Sequence, residues 1–85
     1  MSREQIRNTA LRLLGDVAPE ADLAAIVPDA ALRDQLDLDS MDFLNLIIAL
    51  HQELAVEIPE ADYRRLSTLD GMVDYLSAAV ASQRG

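Results

Sequence analysis

Ser40 and His51 are the one pair in this chain that could serve as nucleophile and base. They stand eleven residues apart on what reads as a single helix, so they share nearly one face. At 1.5 Å rise per residue they are still about 16 Å apart along the axis. A nucleophile and its base must come within hydrogen-bond reach, so the pair is excluded and His51 reads as a surface residue. The acidic run Asp37-Leu38-Asp39-Ser40-Met41-Asp42 hints at a calcium loop. With Asp37 in position one, position five is Met41, position six is Asp42 where Gly is needed, and position twelve is Ile48 where Glu is needed. These acids are better explained by helix capping and surface charge. Cysteine is absent, which removes disulfides, thiolate metal sites and cysteine nucleophiles. A single histidine leaves no histidine metal cluster either. The chain reads as one without catalytic residues and without a metal.

That leaves Ser40 by itself, at what the pattern marks as a helix start. If Ser40 were the N-cap, Phe43 would fill the third helical position and give the helix end nothing. If Asp39 caps, Asp42 falls there, and both carboxylates face the positive end of the helix dipole. Asp39 is the better cap. Ser40 is then the first helical residue, with its hydroxyl free to point outward. Taken alone, a serine in this place is an ordinary helix-start residue. The helix it opens, to about Leu54, is apolar nearly all round, and one face of a small bundle cannot bury so much. Leu46, Leu50 and Leu54 share a face and belong in the core, flanked by Phe43 and Ile47. Met41, Leu44 and Ile48 form a second stripe, either covered by the preceding loop or left exposed for a partner.

The remaining elements must hold this helix. Ser2 and Gln5 make a capping box, and Ile6, Ala10, Leu13, Leu14 and Val17 follow at helical spacing until Gly15 and Pro19 end the element. Residues 16 to 38 form a long connection, and a structureless loop of that length is unusual in a compact domain. Leu23, Ile26, Val27, Leu32, Leu36 and Leu38 should pin it to the bundle, with a short helical turn near Asp29. Val56 to Pro59 reads as an extended link, with Pro59 at the first position of a short third helix. Ser67 or Thr68 caps the last helix, whose buried stripe is Leu69, Met72, Val73, Leu76 and Val80. The tail from Ser82 to Gly85 should fray. The expectation is one all-α domain over residues 1–85. It is a small four-helix bundle with helices at about 3–15, 40–54, 60–66 and 69–82, the third of them short, and a long loop after the first.

Composition narrows the function. The chain has 85 residues, 51% hydrophobic and only 4% aromatic, so aliphatic side chains fill a small core. Fifteen acids against seven bases give a net charge of −8. Eight of the acids lie between Asp34 and Asp62, a stretch without Lys or Arg. Such a chain is a poor binder of nucleic acid or anionic membrane. No apolar run nears membrane-spanning length, and the N-terminus has no signal-peptide apolar region. A cytoplasmic monomer that neither binds nucleic acid nor inserts in a membrane is expected. The acidic third reads either as a solvated face or as a docking surface for basic partners.

The setting of Ser40 resembles that of the acyl carrier protein family. Asp39-Ser40-Met41 matches the family's Asp-Ser-Leu or Asp-Ser-Met at the start of its second main helix. Leu38 to Asp42, Ala49-Leu50, Glu57-Ile58-Pro59, Thr68-Leu69-Asp70 and Asp74-Tyr75-Leu76 match in order and spacing. The three-residue motif is weak alone, whereas the set covers nearly the whole chain. The resemblance implies that Ser40 is esterified with 4′-phosphopantetheine, donated from coenzyme A by a separate phosphopantetheinyl transferase. The arm would end in a thiol that carries acyl groups as thioesters between partner enzymes with basic docking patches. It further implies that Asp39 caps the helix and helps the transferase dock, and that Met41, Asp42, Leu44 and Ile48 meet partners. The deficits agree with a carrier: no base, no cysteine and no catalytic set.

Departures from the family pattern point away from the central fatty-acid synthesis carrier and toward a dedicated one. Asn45 and His51-Gln52 stand where acids are common. Phe43 and Tyr63 stand where small residues are common, and if they point inward they fill space that a long acyl chain would use. The rival readings are a carrier-fold binding module that is not modified, a carrier of aminoacyl cargo, and an unrelated helical adaptor.

Overall fold

Ser2 opens the fold with its capping box. Its Oγ accepts from the Gln5 N–H at 3.1 Å, and the Gln5 side chain accepts from the Ser2 N–H at 2.8 Å. The computed structural model describes residues 1–83. Helix α1 (Arg3–Val17) runs past Gly15, and the Ala18 N–H donates to the Leu14 carbonyl at 2.8 Å. Gly15 does not end the helix. A Cβ there would lie 3.2 Å from Leu23 Cδ1, a tight contact that a shift of a few tenths of an ångström at the end of that side chain would relieve.

That loop is built from short pieces. A 3₁₀ turn at Leu23–Ala25 is capped by the Asp22 carboxylate, and a five-residue helix, α2 (Leu32–Leu36), starts later than the turn expected near Asp29. Leu32 is fully buried, and its N–H donates to the Ser67 carbonyl at 2.8 Å. The Gln35 amide bridges Val27 and Ala30. Leu38 is buried and Leu23, Ile26 and Leu36 pack on the core, but Val27 is exposed.

Helix α3 (Ser40–Leu54) buries Phe43, Leu46, Ile47, Leu50 and Leu54 and leaves Met41, Leu44 and Ile48 exposed. It ends at Ala55, which takes a left-handed φ of 54° where glycine is the usual residue. The third expected helix is a 3₁₀ helix at Glu60–Leu66, with Pro59 just outside it as the cap residue. Helix α4 (Leu69–Gln83) is capped by Thr68, whose Oγ1 accepts from the Gly71 N–H at 3.0 Å. Ser82 and Gln83 are helical rather than frayed, and the Gln83 amide donates to the Ala55 carbonyl. The rest of the expected frayed tail, Arg84 and Gly85, lies outside the described residues. Helix α1 packs on α3 and α4, and the 3₁₀ helix packs on α4. Among the described residues there is no strand, and no helix is long and apolar enough to cross a membrane.

Candidate functional site

Ser40 is an exposed residue in the first position of α3. The cap beneath it is Asp39, whose carboxylate accepts from the Asp42 N–H at 2.8 Å. Asp42 returns a weaker bond, accepting from the Asp39 N–H at 3.5 Å. The Ser40 hydroxyl is therefore not spent on the cap. It accepts from Arg33 Nη2 at 3.2 Å, while Arg33 Nε donates to the Leu38 carbonyl at 3.4 Å. Arg33 escaped the sequence reading because its partner lies across a loop. A signal was there, since it is the one arginine between Arg12 and Arg64.

An open groove of about 610 Å³ lies beside Ser40, walled by Arg33, Phe43, Leu44, Tyr63 and Arg64. Phe43 is buried and Tyr63 half-buried, and their rings meet edge to face with centroids 6.5 Å apart and planes at 72°. Both rings line the groove, with Phe43 in the core and Tyr63 packed against it.

His51 is not a free surface residue. It is half-buried, and its Nδ1–H donates to the Val56 carbonyl at 2.8 Å, which ties the end of α3 to the following link. Among the described residues no hydrogen bond joins a carboxylate or imidazole to the Ser40 hydroxyl. No metal-binding group of acids and histidines is present among the described residues.

The acidic third divides. Asp39 and Asp42 form the cap, Glu53 pairs with Arg12, and Asp62 accepts from the Tyr75 hydroxyl at 2.8 Å. These four acids serve the fold. Asp34, Asp37, Glu57 and Glu60 are exposed. Burial pushes the Tyr75 phenol above its ordinary pKa, and the hydrogen bond and charge of Asp62 push the same way, against Arg65, which sits 4.8 Å over the ring. The partner stripe expected from sequence also divides. Met41, Leu44 and Ile48 face solvent, with Met41 at 64% exposure. Asp42 is half-buried and lines a second groove with Asp37 and Leu38.

Comparison with known proteins places this geometry. Residues 4–76 match the family described as "Phosphopantetheine attachment site". The chain is 30% identical over 82 residues to an acyl carrier protein of Thermosynechococcus vestitus, covering 96% of this chain and all of that one. It is 29% identical over 84 residues to an acyl carrier protein of Acidothermus cellulolyticus, covering 96% of each. Its fold is similar to the solved acyl carrier protein of Enterococcus faecalis, with a TM-score of 0.78 at 20% identity over 93% of this chain and 99% of that one.

Proposed function

The chain belongs to the acyl carrier protein family, and from that premise we propose that Ser40 bears 4′-phosphopantetheine and that the protein carries short or polar acyl groups in a specialised pathway. The observation that carries the site assignment is the Ser40 hydroxyl, exposed at the start of α3 and free of cap duty. The residues fit the group. Ser40 supplies an accessible oxygen, Arg33 supplies a cation for a phosphodiester, and the chain has no thiol of its own. When bound, phosphopantetheine supplies the terminal thiol on which acyl groups travel as thioesters.

Attachment requires outside help. The Ser40 oxygen forms a new bond to phosphorus, its proton goes to a base of the transferase, and 3′,5′-adenosine diphosphate leaves coenzyme A. Asp39 holds the helix start rigid under the reacting oxygen and adds an acidic group for the transferase to read. Met41, Leu44 and Ile48 form the apolar strip on which transferase and acyl-processing enzymes seat, with exposed acids as a partial rim. The protein delivers intermediates and leaves the chemistry to its partners.

Phe43 and Tyr63 support the reading of cargo. Their paired rings line the groove, so a long chain enters only by displacing them. Overpacking of that kind costs roughly 1–3 kcal/mol. The test of the modification is intact-mass spectrometry after incubation with a phosphopantetheinyl transferase and coenzyme A. One phosphopantetheine per chain is expected, and an unchanged mass would favour the unmodified binding module.

A further inference from the structure

We infer that Arg33 is a positioning residue that clamps the phosphodiester of the arm on Ser40, an inference that rests on the attachment reading above. The Arg33 guanidinium already donates to Ser40 Oγ at 3.2 Å. In the modified protein that oxygen becomes an ester oxygen, and the charged phosphate oxygens lie one phosphorus atom away from it. They fall within reach of the same guanidinium, which has five N–H donors and spends one on the Leu38 carbonyl. A neutral hydroxyl is a weak use of such a group, whereas hydrogen bonds between a cation and an anion are roughly twice as strong.

Two further observations support the assignment. The backbone under Arg33 is fixed, since Leu32 is fully buried and donates to Ser67 at 2.8 Å, while Gln35 ties α2 to Val27 and Ala30. The guanidinium is thus presented from a pinned turn. The surroundings also call for a cation. Asp39 and Asp42 lie at the same helix start, and a phosphate added to Ser40 joins two carboxylates. Arg33 offsets that repulsion from the side facing the groove, where Arg64 adds a second positive charge against Glu60. The arm is thereby held on the groove side of α3.

The test compares wild type, Arg33→Ala and Arg33→Lys, each fully loaded with phosphopantetheine and checked by intact mass. Phosphorus NMR reads the phosphodiester directly. In wild type its resonance should be broadened and displaced from that of the same modified protein unfolded in urea, where the diester is free of the fold. Arg33→Ala should move it toward that unfolded-state position and sharpen it, and Arg33→Lys should recover part of the displacement. The gain in Tm from apo to modified protein should fall by about 1–8 °C in Arg33→Ala at low salt, and by less at high salt. Superimposable phosphorus spectra and equal gains in Tm would overturn the clamp and leave the attachment site standing. Wild type that takes up no phosphopantetheine would overturn both readings.

Discussion

Replacing Phe43 with Ala should open room for a long acyl chain, on the proposal that the paired rings keep such a chain out. The Phe43 side chain is 9% exposed and packs edge-on to Tyr63. Emptying its site costs about 3–5 kcal/mol. An 85-residue fold holds roughly 4–13 kcal/mol in all, so the variant should be folded but much weakened. An acyl chain that filled the void would contribute about 0.8 kcal/mol per buried methylene. About four to six methylenes then restore what the ring provided. At about 4–8 °C per kcal/mol for a domain of this size, each methylene should raise Tm by about 3–6 °C until the void is full. The assay is calorimetry of the modified protein loaded with saturated acyl groups of increasing length. Wild type should show a flat or falling Tm, because a chain outside the core cannot stabilise the fold. Phe43→Leu leaves a smaller void and should show the same rise over fewer carbons, which covers the case of an Ala variant too weak to load. A wild-type Tm that climbs steadily with chain length would refute the argument, since it would mean the two rings yield to cargo.

Ala55→Gly should stabilise the protein by about 1 kcal/mol, or about 4–8 °C in Tm, because Ala55 ends α3 at φ 54° where a Cβ is strained; an unchanged Tm would show that the strain is absent. The raised pKa of Tyr75 makes stability depend on alkali. The unfolded phenol ionises first, near pH 10, so the contribution is complete below that pH and is lost as the pH rises toward the folded-state pKa. Urea midpoints should therefore fall above about pH 10, and Tyr75→Phe should flatten that fall; equal slopes would contradict the assignment. Met41→Glu places a charge on the exposed apolar strip and should slow transferase turnover without lowering Tm. Asp42→Asn should slow it less, because Asp42 serves the cap and is half-buried. Equal rates for both variants and wild type would remove the strip from the docking surface.

Helix positions were legible where the code is local. The Ser2–Gln5 capping box, the Asp39–Asp42 cap and the leucine spacing of α3 each act within one or two turns, and each has its counterpart in the structure. Burial followed from the same periods, apart from Val27, from Val80, which the buried stripe of the last helix included and which is only half-buried, and from Tyr75, whose phenol finds a partner in Asp62. What could not be read depends on contacts between distant segments. Gly15 looked like a stop signal, yet helix hydrogen bonding continues past it, and it lies close to Leu23 from the following loop. His51 looked like a surface residue because its acceptor, Val56, appears only after the chain turns at Ala55. Arg33 meets Ser40 across the turn at Asp37, whose left-handed φ of 56° no spacing rule announces. The contact of Phe43 with Tyr63 likewise depends on where the 3₁₀ helix lies against α3. Charge divides only once the structure is known, since half of the eight acids in that stretch take part in a cap, an ion pair or a hydrogen bond.

The attachment of phosphopantetheine at Ser40 is tested most directly by a single substitution. The other serines of the described residues are poor sites: Ser2 Oγ holds a cap and Ser77 Oγ is buried, while Ser67 and Ser82 lack an Asp-Ser-Met setting. Ser40→Ala should keep the fold, because Asp39 is the cap and alanine is a strong helix former. Wild type and Ser40→Ala are incubated with the transferase and coenzyme A, then compared by intact mass and by helical circular dichroism. One phosphopantetheine is expected on wild type, none on the variant, and the same helix content in both. Phosphopantetheine found on the variant, at any other serine, would contradict it.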